Sequence, residues 1–206
     1  MTSTPLAFLL ALSAGFGPAP RPLKVSVDTA VFAGGCFWGI EGVFEHMKGV
    51  LTATAGYAGG HAVSPSYEDV SSGETGHAEA VRVVYDASQV TYAQLLSVFF
   101  TVAHDPTELD RQGPDVGTNY RSVAFYRDST QHAAINAFVA DLERRHVYRR
   151  PVVTQVVPLM AFYEAEGYHQ HYMEHHPDQP YIMYNDAPKV EALRKTFPAL
   201  YRDSWK

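Results

Sequence analysis

The sequence predicts an α+β sandwich: helices packed on one mainly antiparallel mixed sheet. Strand-like and helix-like segments follow one another in the order strand, helix, strand, strand, helix, strand, helix, strand. No internal repeat and no linker divides residues 25–206, which are expected to form a single domain. Hydrophobic residues make up 46% of the chain and charged residues 18%, a balance that suits a buried core and not a disordered chain.

Residues 1–24 are set apart from the fold. Within "PLAFLLALSAGFGPAPRP" the apolar run Leu6 to Ala14 is too short to span a bilayer. With the small residues and prolines behind it, it resembles the core and cleavage zone of a secretory signal, although no Lys or Arg precedes it. The expectation is a leader and a periplasmic or secreted protein; the alternative is a cytoplasmic one.

The elements then follow in order. Thr29 to Phe32 is apolar and β-branched, as in a strand. Ile40, Val43, Phe44 and Met47 form a helical stripe, with Glu41, Glu45 and Lys48 on the other side and Gly49 as the stop. Val50 to Tyr57 reads as the second strand. Gly59 to His77 is a long Gly/Ser/Pro-rich connection, and Ala78 to Tyr85 alternates as a third strand. Thr91 and Gln94 form a capping box for a helix striped by Leu95, Val98, Phe99 and Val102. Asp105 to Asn119 has no apolar period, and a loop of that length in a compact domain points to function or disorder. Arg121 to Tyr126 is a strand. Asp128 and Gln131 cap a helix striped by Ile135, Phe138, Val139 and Leu142. Pro151 to Val157 reads as a last strand at a sheet edge. Two short helices are expected beyond it, near Phe162–His176 and near Lys189–Phe197.

Chemistry centres first on Cys36 in "VFAGGCFWGIEGVFEHM", the single cysteine of the chain. A strand running through Gly34-Gly35 into a helix places its sulfur at a helix N-terminus. Unpaired N–H groups and the helix dipole there favour a thiolate and are expected to lower the thiol pKa. Phe37 and Trp38 put an aromatic pair beside the sulfur. Gly39 and Gly42 each cost a helix roughly 1 kcal/mol, so crowding around a site is the expected reason for them. The plainer reading of Cys36 is a small core residue in a strand-to-helix corner.

Glu79 is the second candidate. Alternation in "HAEAVRVVY" puts it on the face of Val81, Val83 and Tyr85. A carboxyl in an apolar site is pushed towards its neutral form and can act as a general acid. The plainer reading is a strand-end glutamate reaching solvent. Tyr67, Asp115 and Tyr120 lie in or beside the two long loops, where tyrosine hydroxyls can hydrogen-bond a polar substrate oxygen without adding charge; the plainer reading of each is a packing or turn residue. His171 and His175 have a zinc-compatible spacing, but no HExxH pattern or cysteine accompanies them, so they are read as a polar helix face and no metal is assigned. The Gly34-Gly35 and Gly59-Gly60 pairs match no phosphate-binding motif. The net charge is −6 and no Lys/Arg run occurs, so no nucleic-acid partner is expected. Two functions stay open at this level. One is a Cys-His hydrolase using His77 or His104 as base. The other is a binding module in which Phe37 and Trp38 grip a methyl-bearing side chain.

The segment "GCFWG", Gly35 to Gly39, resembles the signature of the A-type peptide methionine sulfoxide reductases. "SYEDVSSGETGHAEAVRVVYD", "HDPTELDRQGPDVGTNYRS", "AEGYHQHY", "QPYI" and "NDAPKVEALRKTFPALY" continue the similarity from about Ala30 to Tyr201. The resemblance implies a ferredoxin-like α+β fold and no cofactor. It implies reduction of the S epimer of methionine sulfoxide, free or in proteins. Cys36 would attack the sulfoxide sulfur and Glu79 would protonate its oxygen. Tyr67, Tyr120 and Asp115 would hold that oxygen or its water. Phe37 and Trp38 would receive the methyl group. Many relatives carry further cysteines that resolve the sulfenic acid; this chain has none, Ser71 standing where some have one. Regeneration is therefore expected from thioredoxin, glutaredoxin or a small thiol. Gly167 stands where relatives often have an acidic residue. A monomer is expected.

Overall fold

The computed structural model describes residues 26–203; the expected leader lies outside them. Among the described residues, β1 (Val27–Ala33), β2 (Val50–Ala58), β3 (Ala78–Asp86), β6 (Val123–Tyr126), β7 (Gln155–Pro158) and β8 (Phe162–Glu164) form one sheet in the order β7-β6-β1-β3-β2-β8. A two-stranded ribbon, β4 (Arg111–Gln112) with β5 (Asp115–Val116), sits in the long loop. The helices are α1 (Phe37–Glu45), α2 (Tyr67–Ser71), α3 (Tyr92–Val98), α4 (Ser129–Arg144), α5 (Tyr172–His175) and α6 (Ala187–Thr196).

The inner strands β6-β1-β3-β2 pair antiparallel throughout, and the helices α1 and α3 complete the ferredoxin-like pattern read from the sequence. Only β7 adds parallel, to β6, which makes the sheet mixed. The larger core gathers Phe32, Phe37, Ile40, Phe44, Met47, Val81, Leu95, Phe99 and Phe100, all fully buried or nearly so. The burial of one such side chain is worth about 1.5–3 kcal/mol. Phe32 stacks on Phe44 and on Phe99, with centroids 5.6 and 4.6 Å apart. The reverse face of the sheet carries a smaller cluster, Val31, Ala33, Ala58, Ala78, Ala80, Val123 and Phe125, against which Val157, Leu159 and Phe162 pack.

Capping chemistry bounds the helices as expected. Thr91 and Gln94 close a reciprocal box at α3, and Asp128 accepts from the Gln131 N–H at 2.9 Å at α4. Gly49 ends the α1 turn with φ +85°. The α3 stripe runs on through Val102 because a wider helical turn, Phe99–Ala103, continues it.

Three expectations are overturned. Phe162–His176 is no helix: it holds β8, a 3-10 turn at Gly167–His169 and the short α5, because its tyrosines and histidines pack as a wrap and lack an apolar period. β7 is therefore not the last strand, since β8 pairs with β2 at the opposite edge. The third concerns Glu41 and Glu45, which sit opposite the apolar stripe of α1 yet are 1% and 2% exposed. The chain after β8 folds across that face: the His171 N–H donates to Glu41 Oε2 at 3.0 Å, and Arg202 donates to the Glu45 carbonyl.

Candidate active site

The start of β3 and the start of α1 create the site. In β3, Glu79 pairs across the ladder with Tyr57 of β2, so both side chains share the face that α1 covers. Between β1 and α1 the backbone turns through Gly35 at φ +94°. A side chain at Gly34 would overlap the His104 ring. The Gly35 N–H donates to the Tyr120 carbonyl at 3.1 Å, which ties the 3-10 turn Thr118–Tyr120 to this corner. Cys36 then occupies the N-cap of α1 and is 7% exposed.

Cys36, Phe37, Trp38, Tyr67, Glu79, Asp115 and Tyr120 line one cavity of about 200 Å³, together with Tyr181. The residues that the resemblance assigned to catalysis and substrate binding therefore meet there, although they are far apart in the chain; the histidines His77, His104, His171 and His175 do not line it. Tyr181 was missed. It lies within "QPYI", where a lone tyrosine carries no periodic or capping signal. Its hydroxyl donates to Asp115 Oδ2.

Tyr67 is held through its backbone. Its N–H donates to Glu166 Oε1 at 2.9 Å, and Glu166 Oε2 accepts from the Tyr57 hydroxyl at 2.9 Å. Trp38 stacks flat on Tyr172, centroids 3.7 Å apart, and its indole N–H donates to His169 Nδ1 at 3.2 Å. The C-terminal wrap thus fixes the aromatic wall. The Gly39 expectation also finds its cause: a methyl group there would overlap Asp186 Oδ1. Asp186 is fully buried and pairs with Lys189 at 3.0 Å.

Electrostatics set a neutral site. Burial pushes Glu79 up to about 8, aided by Asp115 and Asp186 and opposed by the Phe37 N–H that donates to its Oε2 at 3.0 Å. Near pH 7 it is mainly a carboxylic acid. Burial likewise raises the Tyr67, Tyr120 and Tyr181 phenols, which remain donors. The thiol corrects the sequence reading. Its desolvation, then Glu79 and Asp186, raise the Cys36 pKa well above the ordinary value. The Trp38 N–H and Lys189 pull the other way and lose. A helix N-terminus stabilises a thiolate only where burial does not cost more.

The hydrolase reading finds no base. His77 bonds to the Ala62 carbonyl and the Gly60 N–H. His104 bonds to the Phe99 carbonyl and Ser122, and burial lowers its pKa to about 4. Neither lines the cavity with Cys36.

A neutral acid, a thiol and three phenols around an aromatic wall suit a polar but uncharged group with a small apolar end. The family model described as peptide methionine sulfoxide reductase matches residues 28–200. The chain belongs to the peptide methionine sulfoxide reductase family. It is 51% identical over 176 residues to "Peptide methionine sulfoxide reductase MsrA 2" of Mesorhizobium japonicum, covering 85% of this chain and 90% of that one. It is 46% identical over 175 residues to the MsrA of Thermus thermophilus, covering 85% of this chain and 98% of that one. Among solved structures, methionine sulfoxide reductase A of Corynebacterium diphtheriae superposes with TM-score 0.65 at 33% identity, over 81% of this chain and 88% of that one. Reduced Mxr1 of Saccharomyces cerevisiae gives TM-score 0.69 at 29% identity, over 76% and 92%. This reductase is a peptide-methionine (S)-S-oxide reductase, an oxidoreductase that repairs oxidised proteins. Among its described residues no helix is long and apolar enough to cross a membrane.

Proposed function

We propose that the reaction runs through a Cys36 sulfenic acid. The carrying observation is a buried thiol and a buried carboxyl, mainly neutral near pH 7, in one aromatic-walled cavity. Phe37 and Trp38 take the substrate S-methyl, and Tyr67, Tyr120 and the Tyr181–Asp115 pair surround the sulfoxide oxygen. Glu79 gives its proton to that oxygen, and Cys36 Sγ attacks the sulfur. The oxygen then passes to Cys36 Sγ as both the S–O bond and the transient Sγ–S bond break, and Glu79 takes up the thiol proton. The sulfoxide sulfur gains two electrons and Cys36 loses two, yielding methionine and Cys36–SOH with no net proton change. The thiol stays protonated until substrate arrives, which suits an enzyme whose sole cysteine would otherwise meet stray oxidants.

An outside thiol then attacks the sulfenic acid and releases water; a second thiol clears the mixed disulfide. This follows from cysteine arithmetic, since no other cysteine exists in the chain. Yeast Mxr1 has been solved in complex with Trx2, which puts a thioredoxin beside glutaredoxin and small thiols as reductants to compare. From the Leu6–Ala14 stretch we read an exported protein, and mass spectrometry of the mature N-terminus checks the export; a monomer is the expected oligomeric state.

A single-turnover experiment tests the sulfenic acid. Reduced protein mixed with methionine S-sulfoxide and no reductant should yield about one equivalent of methionine and one dimedone adduct at Cys36. An intact thiol with no methionine formed would overturn the mechanism.

A further inference from the structure

The buried acids Glu41 and Glu45 take no part in the reaction above, and their environment is unusual. They stand one turn apart on α1, and the His171 side chain joins them from the C-terminal wrap. Each of the three offers a ligand atom, and these atoms lie within 4.8 Å of one another. His171 reaches both acids at once. Its N–H donates to Glu41 Oε2 at 3.0 Å, and its ring Nδ1 meets Glu45 Oε1. It does so from a left-handed backbone, φ +53°, which a non-glycine residue adopts at a cost.

The arrangement leaves a polar debt. Glu41 Oε1 and Glu45 Oε2 are buried and have no hydrogen-bond partner, on residues 1% and 2% exposed. Two carboxyls, one turn apart and almost dry, are a costly feature of a helix that needs only one apolar face. Burial and mutual repulsion hold Glu41 up to about 8. A cation removes both penalties by neutralising the charges and occupying the free oxygens. Meanwhile the His171 side chain is 40% exposed, so the group opens to solvent on one side. Ligands of a four-coordinate ion with bonds of about 2.0–2.2 Å stand about 3.3 Å apart. The three ligand atoms, already within 4.8 Å of one another, must draw together by no more than roughly 1.5 Å.

We propose that Glu41, Glu45 and His171 form a binding site for a first-row divalent cation, with Zn2+ as its test ion. An imidazole with two carboxylates is a borderline donor set that suits zinc better than magnesium. The ion is structural. It pins the wrap to the back of the helix that carries Cys36, one residue before Tyr172, on which Trp38 stacks. No local sequence pattern marks the group, because the acidic partners of His171 lie 126 and 130 residues away in the chain.

The test uses the untagged full chain, stripped with a chelator. Titration with Zn2+ alone should give one bound ion per chain and a raised thermal midpoint, with Mg2+ producing neither. Glu45→Gln and His171→Asn should each weaken Zn2+ binding at least tenfold. Asparagine tolerates the left-handed backbone, and a half-exposed ring can be lost without opening the core, so His171→Asn decides the matter if Glu45→Gln does not fold. Cys36→Ser should bind Zn2+ normally. The proposal is overturned if wild type binds no Zn2+, if His171→Asn binds as tightly as wild type, or if only Cys36→Ser loses the ion.

Discussion

The Phe37 backbone N–H donates to Glu79 Oε2 at 3.0 Å, joining the first turn of α1 to the start of β3. One bond therefore sets the distance between the nucleophile's helix and the acid. It also occupies one carboxyl oxygen, which leaves Oε1 to carry the proton.

Glu79→Gln keeps an acceptor for Phe37 and loses the proton. Its kcat/KM should fall by about 10²–10⁴, the usual worth of a general acid. Alkylation of Cys36 should persist. In wild type, activity should fall as pH rises through about 8, where Glu79 ionises; the Gln variant should lack that limb. Full turnover by Glu79→Gln would reject the acid role.

The free thiol should be sluggish. With burial, Glu79 and Asp186 raising Cys36, iodoacetamide should label it more slowly than a free cysteine at pH 7, and the rate should still climb at pH 9. Asp186→Asn removes one raising charge and frees Lys189, so labelling at pH 7 should quicken. A labelling plateau reached below pH 8 would contradict this account.

Stability should decline with alkalinity in a defined window. Glu79 and Glu41 are each raised from 4.5 to about 8 in the folded protein. Below about 4.5 both states hold these protons. Between 4.5 and 8 the unfolded chain releases them and the folded one does not, so stability falls as pH rises and levels off above 8. The carboxylates Asp86, Asp141 and Glu191 are held low and act only at more acid pH. Below about 6.5 the buried neutral His104, held down to about 4, works in the opposite direction, so the test lies above it: thermal midpoints measured with chelator from pH 7 to 9 should fall, and less steeply in Glu41→Gln. A midpoint that rises over this range would show the acids to be ionised.

Glycine substitutions should separate sharply. Gly39→Ala drives a methyl group into Asp186 and Lys189, an overpacking that costs about 1–3 kcal/mol. At Gly167 an added Cβ meets nothing within 4 Å, so Gly167→Ala should change stability by no more than about 0.5 kcal/mol. Denaturant melts of both variants check the contrast.

Much of this protein is written locally. The sheet and its helices follow from apolar period, β-branching and capping residues, which act over a few residues and can be read in one pass: Thr91 with Gln94, Asp128 with Gln131, Gly49 after α1. The residues of the cavity were legible too, as residue types and as the resemblance around "GCFWG".

Tertiary structure decided what depends on distant partners. The ionisation of Cys36 could not be read from its helix position, since desolvation, Glu79 and Asp186 outweigh the Trp38 N–H and Lys189. Tyr181 joins the site only because the C-terminal chain returns to Asp115. Glu41 and Glu45 look like a solvated helix face until the wrap around His171 buries them. Local sequence sets backbone geometry, because that is a short-range competition. Burial and charge are sums over the whole surround, and here that surround is supplied by a segment more than 120 residues further along the chain.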